Sequence, residues 1–467
     1  MSIIFGTDGW RGLIGEDINE NTTAVVAQAF ADYLKGSINF PAIVIGYDNR
    51  NFSESFARTF AEVISGNGIK VFLSDKIIPT PVVTYYVKSM NLDAGVMITA
   101  SHNPPKYNGI KFKSKYGAPF FTEETQKVEQ LLYKSTIKKT TNLIEVCDLF
   151  ENYKSAALKL IDINSISNSN IKILVDSMGG AGCRYLELIL KDICKIDTIF
   201  GDPSPNFHNR FAEPIEKNLV PLSEKLKSTN YALGTANDGD ADRIGVLTDS
   251  GEWLSAQETI LLISDYLINT KNLNGNIVKT SSVTDKLISN FSHKLKVFDV
   301  QVGFKYIAEK MIEDNITFGC EESGGYGYGF HMPERDGLFS TLVLLEMLAK
   351  NKVTKLSEYV KLKREEFGMI FYDRIDYHYE KENRTEIMPN LIKSNLSQIA
   401  NFSVKETNSF YGSRGIINGI KYKLEGETRW LLLRASETEP LVRIYAEAES
   451  NEEVKILLNK GINIING

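Results

Sequence analysis

The densest chemical motif in the sequence is a loop in which three carboxylates alternate with small residues. Asp238, Asp240 and Asp242 are separated by a glycine and an alanine, between two apolar segments predicted as strands. Clustered carboxylates repel one another unless a cation compensates them, and hard oxygen ligands suit Mg²⁺. A solvated acidic turn is the ordinary alternative, but strands on both sides would hold this loop in place. The spacing therefore predicts a magnesium site, and Arg243 directly after it predicts a contact with a phosphate or sugar oxygen.

A serine and a histidine stand side by side in a second loop, 99–111. Ser101 and His102 precede Asn-Pro-Pro, which is typical of an exposed turn at the end of a strand, and Lys111 lies ten residues on. A capping hydroxyl in a turn is the ordinary interpretation of such a pair. A Ser–His hydrolase also needs an orienting acid and an oxyanion site, and neither can be placed from the sequence.

A glycine-rich third loop covers residues 319–325 and again follows a predicted strand. Its two final glycines allow close approach of a ligand to the backbone. Glu321 and Ser323 offer the hydrogen-bonding groups that sugar hydroxyls need. Glycine-rich turns are common, so an ordinary turn is the alternative to a sugar site when this loop is taken alone.

The fourth loop is framed by two arginines, Arg434 and Arg443, and contains the hydroxyls of Ser436 and Thr438. Guanidinium groups, hydroxyls and the amides of a turn together make a phosphate-binding cradle. A surface hairpin with charged ends is an equally good interpretation of this loop taken alone.

The elements that position these loops repeat one order: a short apolar strand, a Gly- or Asp-rich loop, and a helix. This alternation predicts βαβ units in parallel or mixed sheets. The predicted strands are 42–46, 69–73, 94–98, 171–176, 231–233, 244–247, 276–279, 297–300, 316–318, 422–424, 430–433 and 441–445, and the predicted helices are 55–65, 185–190 and 452–459.

The polar segment 162–170 predicts a linker before the second series of strands, and a change of pattern after about residue 363 marks the last domain. The predicted class is α/β: three α/β domains with mixed sheets, followed by a smaller C-terminal α+β domain. The predicted domain limits are 1–150, 151–250, 251–365 and 366–467.

Length and charge narrow the class of function. A chain of 467 residues is too long for one core. A net charge of −6 argues against a nucleic-acid partner or an anionic membrane surface, so a phosphate ligand needs locally gathered cations.

The sequence predicts neither a signal peptide nor a transmembrane helix, because it has no basic segment followed by an apolar stretch at the start and no run of about 18 apolar residues. Four irregularly spaced cysteines predict reduced, mostly buried thiols, and the expected location is cytoplasmic.

Taken in their order along the chain, the four loops resemble those of the α-D-phosphohexomutase superfamily, which includes phosphoglucomutases, phosphomannomutases and phosphoglucosamine mutases. Two further segments, Phe-Gly-Thr-Asp-Gly-Trp-Arg-Gly at 5–12 and Val-Gly-Phe-Lys at 302–305, support the resemblance, which spans the whole chain. It implies that the domains surround one central cleft. It also implies that Ser101 is a phosphoserine and that Mg²⁺ is held by Ser101 with the three aspartates.

The resemblance implies roles for the remaining candidates. Arg11 and Lys111 would act as general acid or base or orient the groups that do, and His102 would lie against the phosphoserine. Lys111 and His102 would add positive charge or handle the hydroxyl proton. Lys305 would contact the substrate, and the fourth loop would bind the phosphate that is not reacting. Glu437 and Cys320 depart from the family pattern, in which glycine is usual at both positions.

The activity implied is interconversion of hexose 1-phosphate and hexose 6-phosphate through a hexose 1,6-bisphosphate, which also serves as activator. Glucose is the expected sugar, with mannose as a further substrate. The alternatives are a phosphomannomutase, a phosphoglucosamine mutase or a sugar-phosphate phosphatase. A metal-dependent glycosyltransferase lacks a recognisable nucleotide-sugar site, and a non-catalytic sensor leaves Ser101 and the aspartates unexplained. The only partner expected is the sugar phosphate, and the protein is expected to be a monomer or homodimer.

Overall fold

A computed structural model describes residues 3–6, 9–379, 383–412, 415–436 and 440–466. Four β-sheets follow one another along this part of the chain. The first three combine parallel and antiparallel strand pairs. The fourth consists of antiparallel pairs. This confirms the predicted class of three α/β units with mixed sheets and a C-terminal α+β unit.

The first sheet is built from strands Trp10–Leu13 (β1), Ala42–Tyr47 (β2), Lys70–Ser74 (β3), Ala94–Ile98 (β4), Tyr107–Ser114 (β5), Ala118–Pro119 (β6) and Ile144–Cys147 (β7). Its helices are Glu20–Lys35 (α1), Ser53–Gly66 (α2), Thr80–Ser89 (α3) and Thr122–Gln130 (α4). The strand order is β1-β5-β4-β2-β3-β7, with β6 on β5. Because β2 and β4 are parallel neighbours, the turn after β2 lies beside the serine loop after β4.

The second sheet contains Lys172–Asp176 (β8), Lys195–Ile199 (β9), Leu233–Asn237 (β10), Ile244–Thr248 (β11) and Trp253–Leu254 (β12), in the order β12-β11-β10-β8-β9. The helices are Phe150–Leu160 (α5), Ile163–Asn168 (α6), Tyr185–Leu190 (α7) and Val220–Lys227 (α8). The strand predicted at 231–233 begins later, at Leu233, because residues 233–236 are the ones that pair with β8. The aspartate loop therefore joins two paired, fully buried strands, β10 and β11.

The third sheet contains Asn276–Thr280 (β13), Val297–Val300 (β14), Ile316–Cys320 (β15) and Tyr326–Tyr328 (β16), in the order β14-β13-β15-β16. The helices are Ala256–Asp265 (α9), Lys286–Phe291 (α10), Phe304–Glu313 (α11), Gly337–Lys350 (α12) and Leu356–Phe367 (α13). The sugar loop predicted at 319–325 connects β15 to β16, which pair antiparallel.

The fourth sheet contains Phe371–His378 (β17), Gln398–Ile399 (β18), Phe402–Tyr411 (β19), Ile417–Leu424 (β20), Trp430–Ala435 (β21) and Leu441–Ala448 (β22), in the order β17-β22-β21-β20-β19-β18. Two helices accompany it, Arg384–Ser394 (α14) and Asn451–Asn466 (α15). The fourth loop joins β21 to β22.

One apolar core runs through the first three sheets, and the fourth sheet has its own. Val44, Val175 and Phe318 belong to a single buried cluster although they lie in three different sheets. Helix α12 also packs on β10 and β11 of the second sheet. Leu431 and Leu457 belong to a separate cluster of the fourth sheet. Core packing crosses between the first three segments, and Val302 of the third packs with Trp430 of the fourth. The exact limits at 150, 250 and 365 therefore stay predictions.

Three further expectations have outcomes in the structure. The predicted linker contains a short helix, α6, because the Asp162 side chain caps it by accepting from the Ser165 backbone N–H.

Cys320 is buried, whereas Cys147, Cys183 and Cys194 are half-buried, so the expectation of mostly buried thiols is wrong for three of the four. No helix in the described ranges is both long and apolar enough to cross a membrane.

Candidate active site

Three of the four predicted loops meet at the carboxyl ends of β4, β10 and β15. Arg243 of the aspartate loop forms an antiparallel bridge with Gly325 of the sugar loop. The Ile244 N–H also donates to the Gly324 carbonyl at 3.0 Å. Gly239 approaches the serine loop so closely that a Cβ at this position would lie 2.2 Å from the Ser101 carbonyl oxygen. Residues far apart in sequence therefore form one site.

Ser101 occupies a strained backbone position at the centre of this site. Its φ is +53°, in the left-handed region that non-glycine residues rarely adopt, and the residue is buried. The hydroxyl Oγ donates to Asp238 Oδ2 at 3.0 Å. Oγ also lies 3.4 Å from Nδ1 of His102. The serine hydroxyl is thus presented to the aspartate loop with an imidazole beside it.

The surroundings of the His102 imidazole disfavour its protonated form. Burial, followed by the positive charges of Arg243 and Arg11, places its pKa well below the ordinary value. A neutral ring can accept a proton but adds no positive charge. Of the two roles expected for His102, its environment therefore disfavours that of a standing positive charge.

Asp238, Asp240 and Asp242 are fully buried, and their ligand atoms lie within 4.8 Å of one another. Burial raises the pKa of Asp238 well above its ordinary value, and the neighbouring carboxylates add to this. Burial also acts to raise the pKa of Asp240, but the cation of Lys111 outweighs it and the pKa falls. Lys111 Nζ lies 2.8 Å from Asp240 and 3.1 Å from Asp242.

The aspartate triad fits a divalent cation. Oδ1 of Asp240 and Oδ1 of Asp242 are buried and accept no hydrogen bond, which is costly for carboxylate oxygens away from water. A hard cation bound by oxygen ligands removes that cost and lessens the repulsion among the three charges. The donor set, carboxylates alone, suits Mg²⁺ rather than a soft metal.

Arg335 joins the aspartate loop to the sugar loop. Its Nη2 lies 2.8 Å from Asp242 Oδ2, and its Nη1 lies 3.6 Å from Glu321 Oε2. Burial raises the pKa of Glu321 to about 7, although the charge of Arg335 opposes the rise. Ser323 is half-buried on the same loop. Nε of Arg243 lies 4.0 Å from Asp238 and 3.8 Å from Asp242, so this cation also faces the triad.

Arg11 and Lys305 each donate a hydrogen bond to a side chain of the first sheet's segment. Arg11 Nη1 donates to the side chain of Asn103, two residues after Ser101, at 2.8 Å. Lys305 Nζ donates to the Thr122 hydroxyl at 2.6 Å, which links the third sheet's segment to the first. Arg11 therefore lies at the serine loop, whereas Lys305 contacts the beginning of α4.

The two arginines of the fourth loop lie opposite each other on neighbouring strands. Arg434 on β21 and Arg443 on β22 are register partners. Nε of Arg443 lies 3.7 Å from Asp376 on β17. Ser436 is buried, and its N–H donates to the Leu441 carbonyl at 3.0 Å. Thr438 and Glu437 lie outside the described residues.

Sequence reasoning missed four polar residues of this site: Asp48, Arg50, Thr80 and Arg335. Thr80 donates its hydroxyl to Asp240 Oδ2 at 2.6 Å. Asp48 and Arg50 come directly after β2, at the sheet edge where the serine loop begins, and this position was a usable signal. Arg335 lies in a charged triplet at 334–336, but nothing local indicates its partner 93 residues away.

The chain matches four domain families in the order of its four sheets. They are described as phosphoglucomutase/phosphomannomutase alpha/beta/alpha domains I, II and III, over residues 2–139, 151–251 and 255–367, and the phosphoglucomutase/phosphomannomutase C-terminal domain, over residues 388–460.

Full-length relatives carry related names. The chain is 28% identical to a phosphoglucomutase/phosphomannomutase of Thermococcus kodakarensis, with 100% of this chain and 99% of the relative covered. It is 29% identical to a phosphoglucosamine/phosphogalactosamine mutase of Sulfurisphaera tokodaii, with both chains covered completely. A crystal structure of a putative phosphomannomutase from Thermus thermophilus superposes with a TM-score of 0.86 at 32% identity, covering 100% of both chains.

Proposed function

The chain belongs to the phosphoglucomutase/phosphomannomutase family of α-D-phosphohexomutases, which are intramolecular phosphotransferases, and we propose that it interconverts the 1- and 6-phosphates of mannose or glucosamine through a phosphoserine at Ser101. The observation that carries the proposal is the position of the Ser101 hydroxyl, 3.0 Å from a carboxylate of a buried aspartate triad. A hydrolase triad would instead place an orienting acid behind His102.

The reaction consists of two phosphoryl transfers in opposite directions. In the first, the bond between phosphorus and the Ser101 oxygen breaks while a bond to the free sugar hydroxyl forms. The proton that the sugar hydroxyl loses is passed on to the Ser101 oxygen, with His102 as the relay beside it. The Ser101 oxygen therefore ends as a hydroxyl that donates to Asp238, the arrangement seen here. The bisphosphate then turns around, and its other phosphate returns to Ser101. Such transfer depends mainly on positioning and charge stabilisation.

The residues of the site supply both requirements. His102 relays a proton beside Ser101, giving it to the serine oxygen in the first transfer and taking it back in the second, while Lys111 and Arg243 place positive charge next to the transferring group. Mg²⁺, held by Asp238, Asp240 and Asp242 with the Ser101 phosphate, would neutralise the oxygens of that phosphate. In the proposal, Arg434, Arg443 and Ser436 bind the phosphate that does not react, and Glu321, Ser323 and Lys305 contact the sugar.

The relatives bear on the identity of the sugar. Glucose, the sugar expected from the sequence, appears in one of the three names beside mannose, whereas the others name mannose or amino sugars. The names of the relatives therefore give better support to the alternative of a phosphomannomutase or phosphoglucosamine mutase. Mannose and glucosamine both differ from glucose at C2. The contacts of Glu321 and Ser323 must then tolerate a substituent change at C2.

The test is phosphorus NMR of the purified protein with Mg²⁺, a trace of hexose 1,6-bisphosphate, and in turn the 1-phosphates of glucosamine, mannose and glucose. We expect 6-phosphate to appear at constant total ester, more slowly with glucose than with at least one other sugar. The control, Ser101→Ala, should give no conversion. Release of inorganic phosphate alone would indicate a phosphatase, and conversion by Ser101→Ala would exclude the phosphoserine.

A further inference from the structure

A buried arginine lies directly beneath the serine loop. The side chain of Arg50 is completely inaccessible to solvent. Its Nη2 donates to the carbonyls of Ser101 and Asn103, both at 2.6 Å. Its Nη1 donates to the carbonyls of Pro104 and Tyr107, both at 2.9 Å. One guanidinium therefore binds four carbonyls of the same loop, including that of the reacting serine.

Asp48 holds this guanidinium and the other side of the serine backbone. Nε of Arg50 donates to Asp48 Oδ2 at 3.1 Å. The same oxygen accepts from the Thr99 hydroxyl at 2.6 Å, and the Thr99 oxygen in turn accepts from the Ser101 N–H at 2.9 Å. The buried Asp48–Arg50 ion pair thus holds both backbone groups of Ser101 in place, the C=O directly and the N–H through Thr99. These contacts explain how Ser101 is kept at a positive φ.

The same segment also contacts the second sheet, which carries the aspartate loop. Asn49 donates to the carbonyls of Gly179 at 2.8 Å and of Ser204 at 2.6 Å. The guanidinium of Arg50 lies 4.8 Å from the ring centre of Phe207. Two residues after Gly179, Ala181 donates its N–H to the Gly239 carbonyl at 2.9 Å. The Asp48–Arg50 segment is therefore linked to the serine and to the loop that the serine faces.

We propose that Arg50, held by Asp48, is a positioning residue for phosphoryl transfer: it sets the backbone of Ser101 so that Oγ meets the aspartate loop. The inference rests on the proposed function. Arg50 touches the serine carbonyl and not Oγ, so it acts through the serine and not on the transferring group. Lysine cannot replace it, because a single ammonium lacks the planar fork of donors that reaches four carbonyls and a carboxylate at once.

The test compares Arg50→Lys with a matched control, Arg429→Lys. Arg429 is also buried, pairs with Glu453 at 2.9 Å, donates to a backbone carbonyl and lies 4.1 Å from the ring centre of Phe402, but it belongs to the fourth sheet. Each protein is mixed with hexose 1,6-bisphosphate and Mg²⁺ below its melting temperature. The rate at which Ser101 gains a phosphoryl group is followed by intact mass, and kcat and KM are measured separately.

We expect both lysine variants to lose thermal stability. Only Arg50→Lys should slow Ser101 phosphorylation and lower kcat, by about 100-fold, the effect of a misplacement of about 1 Å. Its KM for the sugar phosphate should stay within about threefold of the wild-type value, because the substrate contacts are unchanged. Thr99→Ala, which removes only the link to the Ser101 N–H, should slow phosphorylation by about tenfold.

Phosphorylation of Arg50→Lys at the wild-type rate would overturn the inference and leave the proposed function intact. If Arg50→Lys does not fold, a wild-type rate in Thr99→Ala has the same meaning. Failure of the wild-type protein to accept a phosphoryl group from any hexose bisphosphate would instead overturn the proposed function, and the inference with it.

Discussion

Replacing Gly239 by alanine tests whether the contact between the serine loop and the aspartate loop controls activity. The Cβ of an alanine at this position would lie 2.2 Å from the Ser101 carbonyl oxygen. That oxygen belongs to the backbone and is bound by Arg50, so it cannot rotate away as a flexible side chain would. Either the two loops separate or the serine carbonyl leaves Arg50.

The size of the effect follows from the distance. Cβ atoms in proteins essentially never approach another heavy atom within 3.0 Å, so the loops must separate by about 1 Å, a displacement that can cost about 100-fold in rate. The Ser101 hydroxyl would then lose its 3.0 Å contact with Asp238. We expect kcat of Gly239→Ala to fall by about 100-fold, equivalent to about 2.7 kcal/mol in the barrier.

Gly182→Ala is the matched control. A Cβ at Gly182 would meet Ala241 and Asn237 at 3.6 Å, an ordinary contact, in the same region of the second sheet. The assay is conversion of hexose 1-phosphate to 6-phosphate at saturating bisphosphate and Mg²⁺, with melting temperatures measured in parallel. A Gly239→Ala protein that folds and keeps kcat within about threefold of Gly182→Ala would refute the argument from loop contact.

Two further predictions concern charge. Asp240→Asn removes one buried carboxylate of the triad, and we expect the Mg²⁺ concentration for half-maximal activity to rise at least about tenfold; an unchanged Mg²⁺ titration would contradict the metal site. Burial raises the pKa of Glu447 from 4.5 to about 7. The carboxyl group of Glu447 accepts hydrogen bonds from the Trp430 indole N–H and from the Thr284 hydroxyl, both at 2.6 Å. Because the folded state holds the Glu447 proton more tightly than the unfolded state, this proton adds roughly 3 kcal/mol to the free energy of unfolding below about pH 4.5. The contribution is lost as the pH rises through about 7. Between about pH 5 and about pH 8, the urea midpoint of the wild type should fall more than that of Glu447→Gln, and parallel midpoints would show that Glu447 does not titrate in this range.

The candidate residues of the site could be identified from the sequence because they lie in short local motifs. Three carboxylates alternating with small residues, and Ser101 after a buried strand, are visible without any knowledge of distant residues. The α/β class was predictable for the same reason, since an apolar run and its flanking loop lie within a few residues of each other. A local signal can still be incomplete: the polar segment at 162–170, predicted as a linker, also contains a short helix that Asp162 caps.

Tertiary structure alone decided how these motifs combine, because the decisive contacts join residues far apart in the chain. Lys111 meets Asp240 across 129 residues, Arg335 joins Asp242 to Glu321, and Arg50 binds the carbonyl of Ser101 from the turn after β2. The charge of His102 was equally hidden, since burial and two arginines from other segments lower its pKa. Sequence spacing identifies which groups can react, whereas burial and long-range pairing determine their charge, their orientation and the distance between them.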